Sequence, residues 1–217
     1  MTTIVDQGRG RAMWADVGAD DPAGHAASDR ALWEQAAGGD VAAFGELFGR
    51  HAGAVWNYAY RLTGSWSVAE DLTSSTFLTA WRRLGDVTLV NDSARPWLYT
   101  VTSNVARREQ RRLSRFTGAL SRLPRGGVVR DHAEDVAGQV DAGRRLRVVL
   151  DAVATLPRAE RRAVELCLMG GLSTAEASAV LEITEASVRA RISRARSRLR
   201  GLLQDTALNA LTTEELS

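Results

Sequence analysis

Along most of this chain the apolar residues recur three and four apart, the spacing of one buried helical face, and no segment alternates as a half-buried strand does. The first such pattern runs from Ser28 to Ala37, where Gly38-Gly39 stops it. Asp40 then predicts the cap of a second helix carrying Val41, Phe44, Leu47, Phe48, Val55, Tyr58, Ala59 and Leu62. After Gly64, Ser67 and Glu70 have capping-box spacing, in which hydroxyl and carboxylate each satisfy an orphan backbone N–H. A third helix is predicted from there through Leu72, Phe77, Leu78 and Trp81 to Leu84, with Gly85 as its stop. A loop over residues 86–93 leads into a fourth helix with Pro96 in its first turn, where a missing N–H is harmless. Trp97, Leu98, Val101 and Val105 supply its apolar side.

From Thr117 to about Val140 the period lapses among Gly118, Pro124, Gly126, Gly127 and Gly138, a linker composition. It resumes with Leu146, Val149, Leu150 and Val153, passes Leu156-Pro157 into a helix through Val164 and Leu168, and halts at Gly170-Gly171. Two helices follow. Ser173 to Val180 opens with a second capping box, Ser173 with Glu176, and Glu185 to about Leu203 is capped by Thr184. A short helix, a tight turn over Leu181, Glu182 and Ile183, and a longer basic helix form a helix-turn-helix layout. The expected fold is all-α, two small helical domains joined by a flexible tether. The divisions are a mobile leader at 1–27, a domain at 28–115, a linker at 116–140, a second domain at 141–203 and a tail at 204–217.

Charge is informative by its distribution, since the net formal charge of the 217 residues is only +2. Residues 1–46 are acidic. From Arg107 to Arg130 eight arginines face the single acid Glu109, and from Arg189 to Arg200 six arginines stand with no acid. These are two separate basic patches. All basic side chains are Arg, a bias that a GC-rich genome accounts for without invoking function. Cys167 is the lone cysteine, which excludes an internal disulfide and a cysteine-based zinc cluster, and the three histidines lack metal-ligand spacing. No apolar run reaches the roughly 18 residues of a membrane span, and no signal-peptide pattern opens the chain, so a cytoplasmic protein without membrane insertion is expected. No Gly-rich phosphate loop, matched carboxylate pair or nucleophile with a base suggests catalysis.

Geometry singles out the last helix. At about 100° per residue, Val188, Ile192, Ala195 and Leu199 form one stripe that must pack inward. The outward face then carries Ala190, Ser193 and Ser197, flanked by Arg189, Arg194 and Arg200. Small residues at its centre allow close approach of the backbone, while arginine forks suit guanine edges and phosphates in a major groove. A solvated basic face is the plainer reading, but the missing acids and the preceding turn favour DNA. On the third helix Asp71, Ser74, Leu78 and Trp81 share a side, and periodicity alone makes that aromatic stripe core. Trp97 is likewise expected in the core, because it shares a face with Val101 and Val105.

Two stretches carry a family resemblance. Arg61-Leu62-Thr63-Gly64, Ala69-Glu70-Asp71-Leu72-Thr73-Ser74 and Thr76-Phe77-Leu78-Thr79-Ala80-Trp81 resemble sigma domain 2 of the extracytoplasmic-function RNA polymerase sigma factors. Leu156-Pro157, Arg161, Gly171-Leu172-Ser173 with Glu176, Val188-Arg189-Ala190-Arg191-Ile192 and Arg194-Ala195-Arg196 resemble sigma domain 4 of the same family. The resemblance covers nearly all of residues 28–203 and implies an initiation factor without cofactors. It implies that Asp71, Ser74, Ser75 and Leu78 meet core RNA polymerase at its β′ coiled coil, with the β flap as a further contact. It implies that Asn91, Asp92 and Ser93 capture an unstacked base of the minus-ten element, followed by Asn104, Arg107, Arg108 and Arg111 along the fourth helix. It assigns reading of the minus-thirty-five element to Arg189, Ala190, Ser193, Arg194 and Ser197. An acidic linker stretch, Asp131, Glu134 and Asp135, is expected to run toward the RNA exit path, and an anti-sigma factor is an expected partner.

Two other readings fit parts of the pattern. A dimeric helix-turn-helix regulator would bind duplex operators without polymerase, and a sequestering protein would bind polymerase without reading promoters.

Overall fold

The computed structural model describes residues 27–89, 92–120 and 137–214. Among them there is no strand, and the chain divides after Ala106 into two compact units.

The first unit is built from α1 (Asp29–Ala37), α2 (Val41–Thr63), α3 (Trp66–Arg82) and the start of α4 (Arg95–Leu120), with a single 3-10 turn at Leu84–Asp86. Ser28 caps α1 by accepting from the Ala31 N–H, and Asp40, the predicted cap of α2, accepts from the Ala42 and Ala43 N–H groups. Gly64 ends α2 at φ 66°, a left-handed value that glycine adopts without strain, and returns its N–H to Tyr60.

The core lies where the apolar stripes of α2, α3 and α4 meet. Leu47, Val55, Tyr58, Leu72, Phe77, Leu98 and Tyr99 are all buried there. Phe77 takes Phe48 edge-on at 4.7 Å, and Tyr58 stacks on Tyr99 at 4.3 Å, arrangements that add to simple burial. The fully buried hydroxyls of Thr76 and Thr102 lie 3.1 Å apart, and each also stands within 2.8 Å of a carbonyl of its own helix, Leu72 or Leu98, so their two protons are shared among these contacts. Two polar groups thereby cross the core with partners satisfied. Trp97 is half-buried and meets Trp33 edge-on at 5.3 Å.

The capping box expected at Ser67 does not form. The cap position falls two residues earlier, at Ser65, and the helix begins at Trp66, so Ser67 lies inside the first turn. The Trp66 indole packs edge-on against Trp56 at 4.3 Å, drawing its residue into the helix, and its N–H occupies the Glu70 carboxylate at 3.0 Å.

The second unit contains α5 (Ala137–Thr155), α6 (Arg158–Val164) continued by a wide π turn at Glu165–Met169, α7 (Thr174–Leu181) and α8 (Glu185–Glu214). Helix therefore occupies both edges of the segment expected to be linker, since α4 runs to Leu120 and α5 already includes Gly138. It also occupies residues 204–214 of the expected tail. The remainder of that linker, with Asp131, Glu134 and Asp135, and the leader up to residue 26 lie outside the described residues. Val153, Leu156, Ala163, Val164, Leu166, Leu172, Ala177, Val188, Ile192 and Ala195 form the core of this unit. Arg161 turns its guanidinium onto the Ala154 and Leu156 carbonyls, closing the last turn of α5 over Pro157.

Here the predicted capping box is complete. Ser173 accepts from the Glu176 N–H at 3.1 Å, and Glu176 accepts from the Ser173 N–H at 2.8 Å. Replacing Ser173 by Ala is expected to lower stability by about 1 kcal/mol, whereas Ser67→Ala is expected to stay within about 0.5 kcal/mol. Denaturant midpoints of the two variants check this, and equal losses would contradict the assignment of α3's start.

Candidate nucleic-acid and polymerase interface

In the second unit, α7 and α8 meet across a turn in which Glu182 adopts φ 55°. Thr184 caps α8 by accepting from the Ser187 N–H at 3.2 Å. The inward stripe is the predicted one: Val188 and Ala195 are fully buried, Ile192 nearly so, and Leu199 is half-buried. Flanking that stripe, an open groove of about 590 Å³ is bordered by Thr174, Arg189, Ser193, Arg196, Ser197 and Arg200, with Ile192 in its lining. Arg189 is steadied by Glu185 at 3.1 Å, which also accepts from the Thr174 hydroxyl at 2.9 Å.

Ser193 and Ser197 are exposed on this face and Ala190 is half-buried. Arg194 does not join them. It lies a quarter turn around α8 and points its Nε at the buried carboxylate of Glu160 on α6, 3.5 Å away, while Arg198 approaches the other oxygen at 3.1 Å. Arg196, which sequence reasoning left out of the reader set, borders the groove instead. Its position follows from the helical angle of about 100° per residue; what the sequence could not reveal was that Glu160 claims Arg194.

In the first unit, Asp71 and Ser74 of α3 are exposed, Ser75 is half-buried, and Leu78 and Trp81 stand out at 50% and 40% exposure. Periodicity had made this stripe core, and the structure reverses that. Phe44 meets the Trp81 ring edge-on at 4.9 Å, but Thr73, Thr76, Phe77 and Ala80 take the inward positions, and Leu78 and Trp81 fall outside them. A leucine and a tryptophan exposed side by side, with a carboxylate and a serine along the same helix, form an amphipathic strip suited to a partner helix.

Leu84 opens the stretch between α3 and α4, and Ala94 closes it. Asp92 sits at φ 54°, a conformation that Asp tolerates better than most side chains. The half-exposed Ser93 accepts from the Arg95 N–H at 3.3 Å, and Asn91 lies outside the described residues. Beyond it, Asn104, Arg108 and Arg111 recur on one exposed face of α4, with Arg107 half-buried beside them. Arg111 turns its Nε onto the Arg107 carbonyl at 3.2 Å, and Arg112 is paired to Glu109.

One cluster was invisible in the sequence. Asp29, only 6% exposed, accepts from His51 at 2.6 Å, from Arg50 at 2.8 Å and from the Ala94 N–H at 2.8 Å. It joins α1, α2 and the end of the α3–α4 stretch.

Two region models of one family match this chain in order: Sigma-70 region 2 over residues 47–116, and Sigma-70 region 4 over residues 146–199. The ECF RNA polymerase sigma factor SigL of Mycobacterium tuberculosis is 32% identical over 173 residues, covering 78% of this chain and 94% of that protein. The chain belongs to the ECF RNA polymerase sigma factors. A second relative, the RNA polymerase sigma factor CnrH of Cupriavidus metallidurans, is 34% identical over 188 residues, or 81% of this chain and 94% of that one. The solved structure of CnrH in complex with the cytosolic domain of CnrY aligns at a TM-score of 0.57 and 29% identity, covering 82% of this chain and 99% of that chain. As a sigma factor, the protein directs RNA polymerase to promoters in transcription initiation, and a regulator acting without polymerase is not favoured. Its family is one of transcription factors rather than enzymes. No helix among the described residues is long and apolar enough to cross a membrane.

The Asp29 cluster of this sigma factor has a thermodynamic signature. Burial opposes the charge on Asp29, but the hydrogen bonds from His51 and Ala94, the attraction of His51 and the Arg50 bond together outweigh it. They hold the carboxylate at about 2 instead of its ordinary 3.8. A depressed carboxylate contributes stability that is full above about pH 4 and lost as the pH falls toward 2, here by about 2 kcal/mol. Asp29→Asn is expected to flatten that acid limb and to lower stability at pH 7. Denaturant titrations followed by tryptophan fluorescence at pH 7, 4 and 3 measure it; an unchanged acid limb in the variant would show that another group carries it.

Proposed function

We propose that the two units divide promoter recognition. The exposed α3 strip of Asp71, Ser74, Ser75 and Leu78, with Trp81, docks on core RNA polymerase. The 84–94 stretch takes an unstacked minus-ten base with Asn91, Asp92 and Ser93, and Asn104, Arg107, Arg108 and Arg111 track the adjacent strand. Helix α8 enters the major groove at the minus-thirty-five element with Arg189, Ala190, Ser193 and Ser197, and Arg196 and Arg200 reach the flanking phosphates. Arg194 contributes from the edge of that face with the guanidinium edge that Glu160 leaves open. The division of the chain into a polymerase-binding domain at 28–115 and a reader domain at 141–203 belongs to the same proposal, as does action in the cytoplasm with no catalytic step of its own.

The observation that carries this reading is the α8 groove, a surface with small serines at its centre and arginines at its borders, beside a stripe in which Val188 and Ala195 are fully buried. Such a surface lets the helix backbone approach bases while cations meet the phosphates on either side. An anti-sigma factor belongs to the proposal too. The CnrH structure is a complex with the cytosolic domain of CnrY. At 22% identity, the neighbouring structure described as the sigma factor RpoE with the anti-sigma factor NepR from Bartonella quintana supports the fold alone.

Run-off transcription with purified core polymerase and a promoter library tests the whole. Product that depends on this chain is expected, and its absence alongside tight binding of duplex DNA by the chain alone would favour an ordinary regulator. In the same assay, Arg189→Ala is expected to relax discrimination at one minus-thirty-five position by about 1–3 kcal/mol while core binding persists. Leu78→Asp is expected to lower affinity for core polymerase about tenfold or more, the equivalent of roughly 1.4 kcal/mol, with binding by the α8 face unaffected. Fluorescence anisotropy with labelled sigma factor reads the second.

A further inference from the structure

Among its described residues, the stretch between α3 and α4 makes few backbone hydrogen bonds to itself. Its described internal bonds are the Asp86 N–H to the Arg83 carbonyl at its start and the Arg95 N–H to Ser93 at its end. Among the described residues, four further fixtures along its length come from α1. The Trp33 indole N–H donates to the Leu84 carbonyl at 3.0 Å where the stretch begins. The Arg30 guanidinium reaches the Leu89 carbonyl at 3.4 Å and pairs with the Asp92 carboxylate at 2.5 Å near its tip. The Asp29 carboxylate accepts from the Ala94 N–H where it ends.

Three side chains within five residues of α1 therefore hold a stretch some sixty positions away at its beginning, middle and end. Leu89, 4% exposed, and Ala94, fully buried, pin the backbone from beneath. Asp92 adopts a left-handed conformation, one that Asp tolerates better than most side chains, and its carboxylate is the one Arg30 pairs with. Trp33 is itself wedged between Leu84 and the edge of Trp97, so its indole is fixed before it donates.

We propose that α1 is a positioning element for base selection: Asp29, Arg30 and Trp33 set the shape of the stretch that meets the minus-ten base, without contacting DNA themselves. The inference rests on the reading above that Asp92 and Ser93 meet that base. A pocket for a flipped base discriminates only when its polar groups stay within a few tenths of an ångström of the base edge. Helix α1 supplies that rigidity from outside the pocket.

The test uses holoenzyme assembled from core RNA polymerase and the full chain, transcribing two template libraries, one randomised across the minus-ten element and one across the minus-thirty-five element. Sequencing the run-off RNA yields a base-preference profile at each position. Arg30→Ala removes a pair that is half-exposed and so worth little to stability, and Trp33→Phe keeps the ring packed on Trp97 while deleting the donor to Leu84. Both are expected to flatten the preference at one minus-ten position about fivefold or more, the low end of what one well-read base contributes, with the minus-thirty-five profile unchanged. Arg30→Lys, which restores a cation for Asp92, is expected to recover most of the preference. The control is the double variant Asp92→Ala with Ser93→Ala. If it flattens the minus-ten profile while the α1 variants leave it intact, α1 is not a positioning element although the stretch does read the base. A profile untouched by all of them overturns the base-reading assignment itself, and α1's proposed role with it. Equal losses in both libraries point to general unfolding and also overturn the proposal.

Discussion

Asp29 keeps a charge beneath the surface of the first helical unit because donors from separate segments converge on its two oxygens. An unpaired carboxylate buried to this degree would take up a proton or stay in water. With His51 and Arg50 on α2 and the Ala94 N–H ahead of α4, the charged form becomes the stable one. The bonds are directional, so they fix more than energy: they set where α1 lies on α2 and where α4 begins. An apolar contact at the same place would tolerate sliding of the helices. The polar one does not, and the stretch between α3 and α4 inherits that precision.

The second unit uses a buried carboxylate for a different end. Glu160 sits near the start of α6, under 10% exposed, with Arg194 on one oxygen and Arg198 on the other. Six arginines crowd one stretch of α8, and like charges on neighbouring turns repel. Pairing two of them against α6 relieves that crowding and sorts the side chains by direction. Arg189, Arg196 and Arg200 are left on the groove side. The sequence of α8 alone gives the helical angle of each arginine, but the acid that decides between two adjacent roles is more than thirty positions away.

That distinction also explains how much could be read beforehand. Helix type, most caps and the buried stripe of Val188, Ile192 and Ala195 are local, set by spacings of three and four and by the hydroxyl or carboxylate at each start. They were legible. The start of α3 was misread because Ser67 and Glu70 have the right spacing, while the deciding contact, Trp66 against Trp56, spans ten residues and two helices. Leu78 and Trp81 were misread as core because periodicity reports an apolar stripe without saying what covers it; the inward positions were already filled by Thr76, Phe77 and Ala80. The contacts of Asp29 and Arg30 with Ala94 and Asp92 leave no local trace, since a charged residue in the first turn of a helix is ordinary.

The small net charge bears on how such a protein finds its site. At +2 over 217 residues there is little field to steer the whole molecule toward DNA, and salt confines any field to about 10 Å at 0.1 M ionic strength. On the proposed reading the α8 groove would then act at contact, through the few arginines that border it. Modest affinity suffices if the groove is delivered to its target at high local concentration, which linkage to a unit already held on polymerase provides. It is also useful, because a reader that bound DNA strongly by itself would occupy nonspecific sites in competition with the holoenzyme. On the proposed division of labour, weak long-range electrostatics and strong local geometry are complementary demands. The first keeps the free subunit off DNA, and the second, in the α8 groove and the braced stretch before α4, makes the choice once polymerase has brought them there.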